Sequence, residues 1–360
     1  MTKSKSMINF GPGPAALPKV VQEQAAAAVL AYAGSGLSIL EIPHRGHLFD
    51  AILEESKALV RELAGLDEDY EVLWLQGGGR MQFAMVPMNF LAPGQTAGYL
   101  DSDHWSYDAL QHAACYGRTT VLSSTRQKQY HALPPWPAVL PPDLAYIHLT
   151  TNNTIYGTQW QDIPHTDVPL VADTSSDIFS LPRDYKRFSL FYAVAQKNLG
   201  IAGVTLVVIR RDMLDRVRPG LPAIFDYAQQ VKQKSVVNTS PVFAIYVALL
   251  MLRWTKQQGI AALSRRNGEK ADLLYAEIDR NPLLYGVADP GSRSLMNVVF
   301  RCTEENLEKE LITLCAANNI TGIEGHRSVG GFRASLYNAT GLEEVQELVR
   351  VLQLLEQQNK

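Results

Sequence analysis

The chain has 360 residues, of which 46% are hydrophobic and 19% charged, and this composition is ordinary for a globular enzyme of about two domains. A formal net charge of −3 argues against a nucleic acid or an anionic membrane held by bulk charge. The three cysteines lack CxxC spacing and are predicted to be free thiols. The eight histidines show no metal-ligand pattern, so no metal site is expected. The lack of a leader or membrane-spanning pattern predicts a cytoplasmic protein.

Strand and helix patterns alternate along the first two thirds of the chain. Short apolar runs bounded by polar residues or glycine are typical of buried parallel strands, and helical periodicity follows several of them, for instance at residues 107–116. This alternation predicts an α/β fold with a mostly parallel sheet between helices. The predicted strands lie at residues 72–75, 96–100, 119–122, 145–149, 170–172, 191–195 and 204–209.

The pattern changes after a predicted long helix at residues 241–258. Three further helices and two strands suggest a smaller α/β unit. We therefore expect a large domain at residues 16–258 and a small domain at residues 259–360, with residues 1–15 packing on the small one. The helices of the small unit are predicted at residues 260–279, 304–318 and 342–357, and its strands at residues 295–300 and 332–336.

Two residues of opposite charge follow predicted strands. Asp173 ends the apolar run that begins at Pro169, and Lys197 follows the run that begins at Phe191. The carboxyl ends of strands in an open α/β sheet face one crevice, so we expect both side chains there. Pyridoxal phosphate requires such a pair, because the amine forms a Schiff base and the acid partners the pyridinium nitrogen.

Three more candidates lie where predicted strands give way to helices or turns. The glycines of Gly77-Gly-Gly79-Arg80 let a backbone approach an anion, although a tight turn is the simpler explanation of three glycines alone. Trp105 has the indole to lie on a flat heteroaromatic ring, although a core tryptophan is the more ordinary interpretation in isolation. Thr154 lies in a polar turn whose hydroxyl and amide groups could bond a phenolic oxygen. An ordinary polar turn without a ligand is an equally good explanation.

Cationic and capping residues form a third group. Asn238-Thr239 precedes the long helix, where capping explains both residues and free donors also suit a phosphate. Two His-Arg pairs beside glycine, with one further arginine, favour an anion pocket in an otherwise nearly neutral chain, because arginine binds carboxylate and phosphate bidentately. These cationic residues are His44, Arg45, His326, Arg327 and Arg333.

Together, these motifs closely resemble the phosphoserine aminotransferases, a family of fold-type I pyridoxal-phosphate enzymes. The resemblance runs over almost the whole chain, and Ser240, where the family commonly has proline, removes no functional group. The matching segments lie at residues 11–15, 44–46, 77–83, 105, 153–155, 172–173, 195–198, 226–227, 238–239, 293–297, 325–327 and 333–338.

The resemblance implies a role for each candidate residue. Lys197 would bind pyridoxal phosphate covalently, and Asp173 would pair with its ring nitrogen. Trp105 would stack on the ring, and Thr154 would bond its phenolic oxygen. The cofactor phosphate would be held by Gly79, Arg80 and Gln196 and by Asn238 and Thr239 from the other subunit of a homodimer, with Ser175 as a further contact. Substrate would be bound, partly across the dimer, by His44, Arg45, His326, Arg327 and Arg333.

The resemblance also implies a reaction, in which glutamate and 3-phosphohydroxypyruvate give O-phospho-L-serine and 2-oxoglutarate in serine biosynthesis. The 4-phosphohydroxythreonine pair of pyridoxine biosynthesis is a second expected substrate. The alternatives are another fold-type I activity, such as a small-acid aminotransferase or a cysteine desulfurase-like lyase, and a non-catalytic binding protein. The cysteines lack the glycine-flanked loop of a desulfurase, and the presence of Lys197 and Asp173 disfavours a non-catalytic protein.

Overall fold

A seven-stranded, mostly parallel sheet flanked by helices forms the centre of the computed structural model, which describes residues 7–360. Its strand order is β2-β10-β9-β8-β5-β3-β4, and β10 alone runs antiparallel to its neighbours. The predicted α/β fold is therefore confirmed. The seven strands are β2 (Tyr70–Leu75), β3 (Thr96–Asp101), β4 (Arg118–Ser124), β5 (Leu144–Thr150), β8 (Leu170–Asp173), β9 (Leu190–Val194) and β10 (Thr205–Arg210), and the remaining strands are β1 (Ile8–Asn9), β6 (Asn152–Asn153), β7 (Thr158–Gln159), β11 (Leu284–Gly286), β12 (Asn297–Cys302), β13 (Ile320–Thr321) and β14 (Phe332–Ser335).

Every predicted strand of the central sheet overlaps an observed one. The central strands β5, β8 and β9 are buried at every position, which explains their continuous apolar runs. Apolar clusters pack the two faces of the sheet. None of the helices between residues 7 and 360 has the length and hydropathy of a membrane span.

Each predicted helix overlaps an observed one, with differences at the ends, whereas α1, α5 and α6 were not predicted. The helix predicted at residues 107–116 begins earlier, at His104, because the Asp103 carboxylate accepts a hydrogen bond from the Ser106 amide at 2.6 Å and caps it. The helices of the described chain are α1 (Lys19–Leu30), α2 (His47–Ala64), α3 (Gly78–Phe90), α4 (His104–Ala113), α5 (Arg211–Leu214), α6 (Tyr227–Lys232), α7 (Val242–Gln258), α8 (Ile260–Arg280), α9 (Glu305–Ala317) and α10 (Leu342–Gln358).

The C-terminal part has its own antiparallel sheet, β11-β12-β14, covered by α8, α9 and α10. A separate apolar cluster fills it and includes Phe10 from the N-terminal segment. Strand β1 pairs with β13, with Ile8 opposite Ile320. These contacts support the predicted division at residues 16–258 and 259–360 and the packing of the N-terminal segment, which stay predictions; residues 1–6 lie outside the described part.

A buried lysine joins α8 to the chain that follows β14. Lys270 is only 2% exposed, and its Nζ donates hydrogen bonds of 2.9 Å to the carbonyl oxygens of Leu336, Tyr337 and Thr340. Burial lowers the pKa of Lys270 to about 7, while the three carbonyl acceptors oppose this shift by favouring the ammonium form. Lys270 therefore fixes the path of the chain beyond β14.

We expect Lys270→Met to lower the free energy of unfolding by about 3 kcal/mol, because three buried carbonyl groups lose their donor. Urea unfolding followed by circular dichroism measures the change. Lys309→Met, at an exposed position of α9, is the matched control and should stay within about 0.5 kcal/mol of wild type. Equal stability of the two variants would contradict the structural role of Lys270.

Candidate active site

Asp173 and Lys197 lie together at the carboxyl end of the central sheet. Asp173 is the last residue of β8, and Lys197 lies just beyond β9, the parallel neighbour of β8. Both side chains line a cavity of about 350 Å³. The crevice predicted from the two apolar runs is therefore present, and it contains both residues.

Burial shifts the two groups toward their neutral forms. It raises the pKa of Asp173, against the opposing effect of the Lys197 ammonium group. It lowers the pKa of Lys197, against the opposing effects of Asp173 and Asp103. The Asp173 carboxylate also accepts a hydrogen bond of 2.9 Å from the Ser175 amide. A lysine with a lowered pKa has more of the neutral amine that acts as a nucleophile.

The glycine turn forms another wall of the cavity. Gly77 and Gly78 have φ values of 98° and 70°, a left-handed conformation that side chains disfavour, and α3 begins at Gly78. A Cβ atom at Gly79 would lie 3.6 Å from Val194 Cγ1 and 4.0 Å from Asp173 Oδ2. The turn therefore brings the free amide groups of the helix start close to the Asp173–Lys197 pair, where an anion would be stabilised.

An aromatic and cationic wall lies beside this turn. The Trp105 indole N–H donates a hydrogen bond of 3.2 Å to Thr154 Oγ1. The Arg80 guanidinium lies 5.3 Å from the centre of the Trp105 ring and forms a hydrogen bond of 3.0 Å with Asp108. Trp105, Thr154 and Arg80 all line the cavity, so the structure brings these three predicted residues together.

Arg333 brings a buried positive charge to the same cavity from β14. Its side chain donates a hydrogen bond of 2.9 Å from Nη1 to the Thr154 carbonyl, and its Nε has no hydrogen-bond partner among the described residues. Burial lowers the pKa of the Arg333 guanidinium. A buried guanidinium with an unused donor is suited to bind a carboxylate or phosphate oxygen.

The loop that precedes β14 contributes His326 to the cavity. Its Nδ1 accepts a hydrogen bond of 3.3 Å from the Ser328 amide and lies 2.7 Å from Ser328 Oγ. Burial lowers the pKa of His326, and the positive charges of Arg333, His104 and Arg327 add to this effect. His326 and Arg333 are thus brought together, with ten of the predicted residues in the lining: Gly79, Arg80, Trp105, Thr154, Asp173, Ser175, Gln196, Lys197, His326 and Arg333.

Four predicted residues lie outside this lining and gather elsewhere on the subunit. Asn238 donates a hydrogen bond of 2.9 Å to the Gln76 side chain, and Gln76 donates one of 2.6 Å to the Thr239 carbonyl. Arg45 donates one of 3.4 Å to the Val236 carbonyl of the same loop. His44 and Thr239 line a second cavity, separate from the first.

Arg327 is exposed beside His326 and does not line the first cavity. In a single subunit, the predicted site residues therefore fall into two groups, those that line the first cavity and those that lie outside it.

Sequence reasoning missed several residues of the lining. Thr150 is the last residue of β5, and its Oγ1 is buried without a partner among the described residues. Thr150 could have been selected in the same way as Asp173, because each is the last residue of a buried parallel strand. Gly13, with φ of 142°, lies so close to the loop of Lys197 that a Cβ atom there would be 3.3 Å from Gln196 Cγ. The other missed lining residues are Pro12, Phe83, Asn152, Ser176 and Val194.

The chemistry of the cavity fits pyridoxal phosphate. It offers a carboxylate, an amine, a helix start for a phosphate, an indole face and two buried polar groups without partners, Thr150 Oγ1 and Arg333 Nε. Within residues 7–360, no group of three or more His, Cys, Asp or Glu side chains is arranged to hold a metal ion.

Comparison with known proteins assigns the family. The family model described as Aminotransferase class-V matches residues 7–348. The chain is 47% identical to the phosphoserine aminotransferase of Flavobacterium johnsoniae over 350 residues, which cover 97% of this chain and 98% of that protein. This chain belongs to the class-V aminotransferases, among the phosphoserine aminotransferases.

Solved structures of phosphoserine aminotransferases have the same fold as this class-V aminotransferase. The Bacillus circulans protein is 42% identical with a TM-score of 0.97, and the alignment covers 99% of this chain and 100% of that one. The PLP-bound protein of Trichomonas vaginalis is 33% identical with a TM-score of 0.90 over 97% of this chain and 100% of that one. The predicted fold-type I architecture is therefore confirmed.

We expect Lys197→Ala to abolish covalent attachment of pyridoxal phosphate, because the reactive amine is lost. Borohydride reduction of the loaded protein, followed by mass spectrometry of its peptides, should find the cofactor on Lys197 in wild type and on no peptide of the variant. Lys309→Ala, which removes an exposed amine, should label as wild type does. Comparable labelling of the Lys197→Ala chain would overturn the assignment of this lysine.

Proposed function

We propose that this class-V aminotransferase transfers the amino group of glutamate to 3-phosphohydroxypyruvate, giving O-phospho-L-serine and 2-oxoglutarate. The observation that carries the proposal is the buried Arg333 guanidinium, with its unused Nε–H, in the same cavity as Asp173 and Lys197. Glutamate and the phosphorylated keto acid each carry two anionic groups, and a cluster of arginine and histidine donors can bind both. The names of the relatives support this substrate class.

The predicted cofactor, pyridoxal phosphate, is confirmed by membership of the class-V aminotransferase family. When bound, it supplies an electron sink that stabilises negative charge at the substrate Cα atom. Asp173 is proposed to hold the ring nitrogen protonated, because a nearby negative charge favours the charged form. Gly79, Arg80 and Gln196 are proposed to bind its phosphate, and Trp105 and Thr154 its ring.

Lys197 is proposed to move the proton that leaves the substrate Cα atom. Its lowered pKa leaves a larger fraction of neutral amine, the form that accepts a proton. Asp173 stays close enough to stabilise the ammonium form once the proton has been accepted. The amine therefore gains and loses a proton beside a carboxylate that stabilises its charged form.

Substrate orientation is proposed to depend on Arg333 and on the histidine and arginine residues around it. Arg333 is held by the Thr154 carbonyl, so its guanidinium is fixed before substrate arrives. His326 presents a ring whose Nδ1 already has partners in Ser328. A preorganised guanidinium and imidazole lose little side-chain entropy on binding an anion.

A homodimer with shared sites is proposed to complete this arrangement. His44, Arg45, Asn238 and Thr239 lie outside the cavity lining of their own subunit, while the family resemblance implies that some of them contact cofactor or substrate. If these residues contribute to the site of the other subunit in a dimer, they can contact ligand there while lying outside their own subunit's cavity. Activity on the 4-phosphohydroxythreonine pair and a cytoplasmic location are further proposals that the pocket and the composition support.

The desulfurase alternative is disfavoured by the positions of the cysteines. Cys302 and Cys315 are buried, and burial raises the pKa of each thiol to about 12, which makes them poor nucleophiles. Cys115 is exposed, and none of the three lines the cavity of the described chain.

An assay of the amino donors and acceptors tests the proposed reaction. We expect turnover of glutamate with 3-phosphohydroxypyruvate to exceed that of alanine with glyoxylate by at least about 100-fold in kcat/KM, because the unphosphorylated acceptor cannot use the anion site. A coupled assay of 2-oxoglutarate release measures the first reaction, with Lys197→Ala as the inactive control. Faster turnover of the alanine–glyoxylate pair would refute the proposal.

Mixed dimers test the sharing of the site. Lys197→Ala and Arg45→Ala should each be inactive alone, yet equal mixing with subunit exchange should restore about one quarter of wild-type activity, because half of the dimers then have one intact site. A mixture of Lys197→Ala with Asp173→Ala is the control, since both residues act in their own subunit and no site is intact. Absence of recovery in the first mixture would place Arg45 in its own subunit's site.

A further inference from the structure

His104 lies next to two residues of the cavity lining, Trp105 and His326, at a position that the sequence motifs did not single out. It is the first residue of α4 and is exposed, directly before the cavity residue Trp105. Its ring centre lies 5.5 Å from that of Trp105 and 6.3 Å from that of His326, with a tilt of 36° between the two imidazoles. Two imidazoles from different parts of the chain therefore face each other at the rim.

Their separation suits an anionic oxygen between them. The ring centres are 6.3 Å apart, and within residues 7–360 no hydrogen bond joins the two rings. A hydrogen bond from each ring to one shared oxygen needs N–O distances of about 2.8 Å, which a bent arrangement at this separation allows. The Ser328 amide already donates to Nδ1 of His326, so the neutral ring has its proton on Nε2 and can donate it to a ligand.

The charged groups around His326 also favour an anion between the two imidazoles. Burial lowers the pKa of His326, and Arg333, His104 and Arg327 add to this effect, so two permanent guanidinium charges lie near the two imidazoles. Of the neighbouring acids, Asp103 is fully buried and caps α4 through Ser106, and Asp108 pairs with Arg80. The start of α4 adds a partial positive charge on the His104 side. An incoming dianion would therefore find His104 without a competing carboxylate partner.

We propose that His104 is a specificity-determining residue that, together with His326, binds the distal phosphate of the phosphorylated substrate. This inference rests on the proposed function. A phosphate carries three terminal oxygens and up to two negative charges, whereas the side-chain carboxylate of glutamate carries two oxygens and one charge. An additional donor at the rim therefore favours the phosphorylated substrate over glutamate.

Steady-state kinetics of both half-reactions test this role. His104→Gln should raise the KM for O-phosphoserine by about 10-fold or more, the lower end of the loss expected for one hydrogen bond to a charged group. It should change the KM for glutamate by less than about 2-fold and leave kcat within about 2-fold, since the charge on glutamate is smaller. His165→Gln, at an exposed position outside the cavity lining, is the matched control and should leave both KM values unchanged.

A second variant separates charge from shape. His104→Glu should raise the KM for O-phosphoserine further than His104→Gln does, because a carboxylate repels the phosphate. Equal changes in KM for both substrates, or no change for O-phosphoserine in either variant, would overturn the role of His104. Wild-type protein that turns over glutamate but not O-phosphoserine would instead refute the proposed function.

Discussion

One buried pair of opposite charges, Asp173 and Lys197, sets the requirements for the rest of the site. Each group alone would be costly to remove from water, and their mutual attraction offsets part of that cost. The pair forms because β8 and β9 are parallel neighbours, which brings their carboxyl ends to one edge of the sheet. The glycine turn before α3 then brings backbone amide groups close to this pair. Side chains in the turn would disturb that arrangement.

Polar contacts between the central sheet and the C-terminal part position Arg333. The Asn338 amide donates a hydrogen bond of 3.0 Å to Asn198, the residue directly after Lys197. Arg333 is bonded to the Thr154 carbonyl, and Lys270 holds the chain beyond β14. The distance between the Lys197 amine and the Arg333 guanidinium therefore depends on buried polar contacts, whose geometry is more specific than that of apolar packing.

The sequence predicts the parts of this structure that leave a local pattern. Fully buried strands read as continuous apolar runs, so their positions were predicted, but such runs do not encode direction, and the antiparallel β10 was not anticipated. Asp173 and Lys197 were identified because each follows a predicted strand and an acid and an amine in one crevice suit pyridoxal phosphate. Thr150 was missed because a hydroxyl there is ordinary, and His104 because its proximity to His326 depends on contacts more than 200 positions apart in the chain.

Some of the residues outside the cavity lining are hydrogen-bonded to the glycine turn that borders the cavity. Gln76 directly precedes the glycine turn and is hydrogen-bonded to both Asn238 and the Thr239 backbone. In the proposed dimer, the turn proposed to hold the phosphate of one site is therefore hydrogen-bonded through Gln76 to the segment proposed to reach the other site.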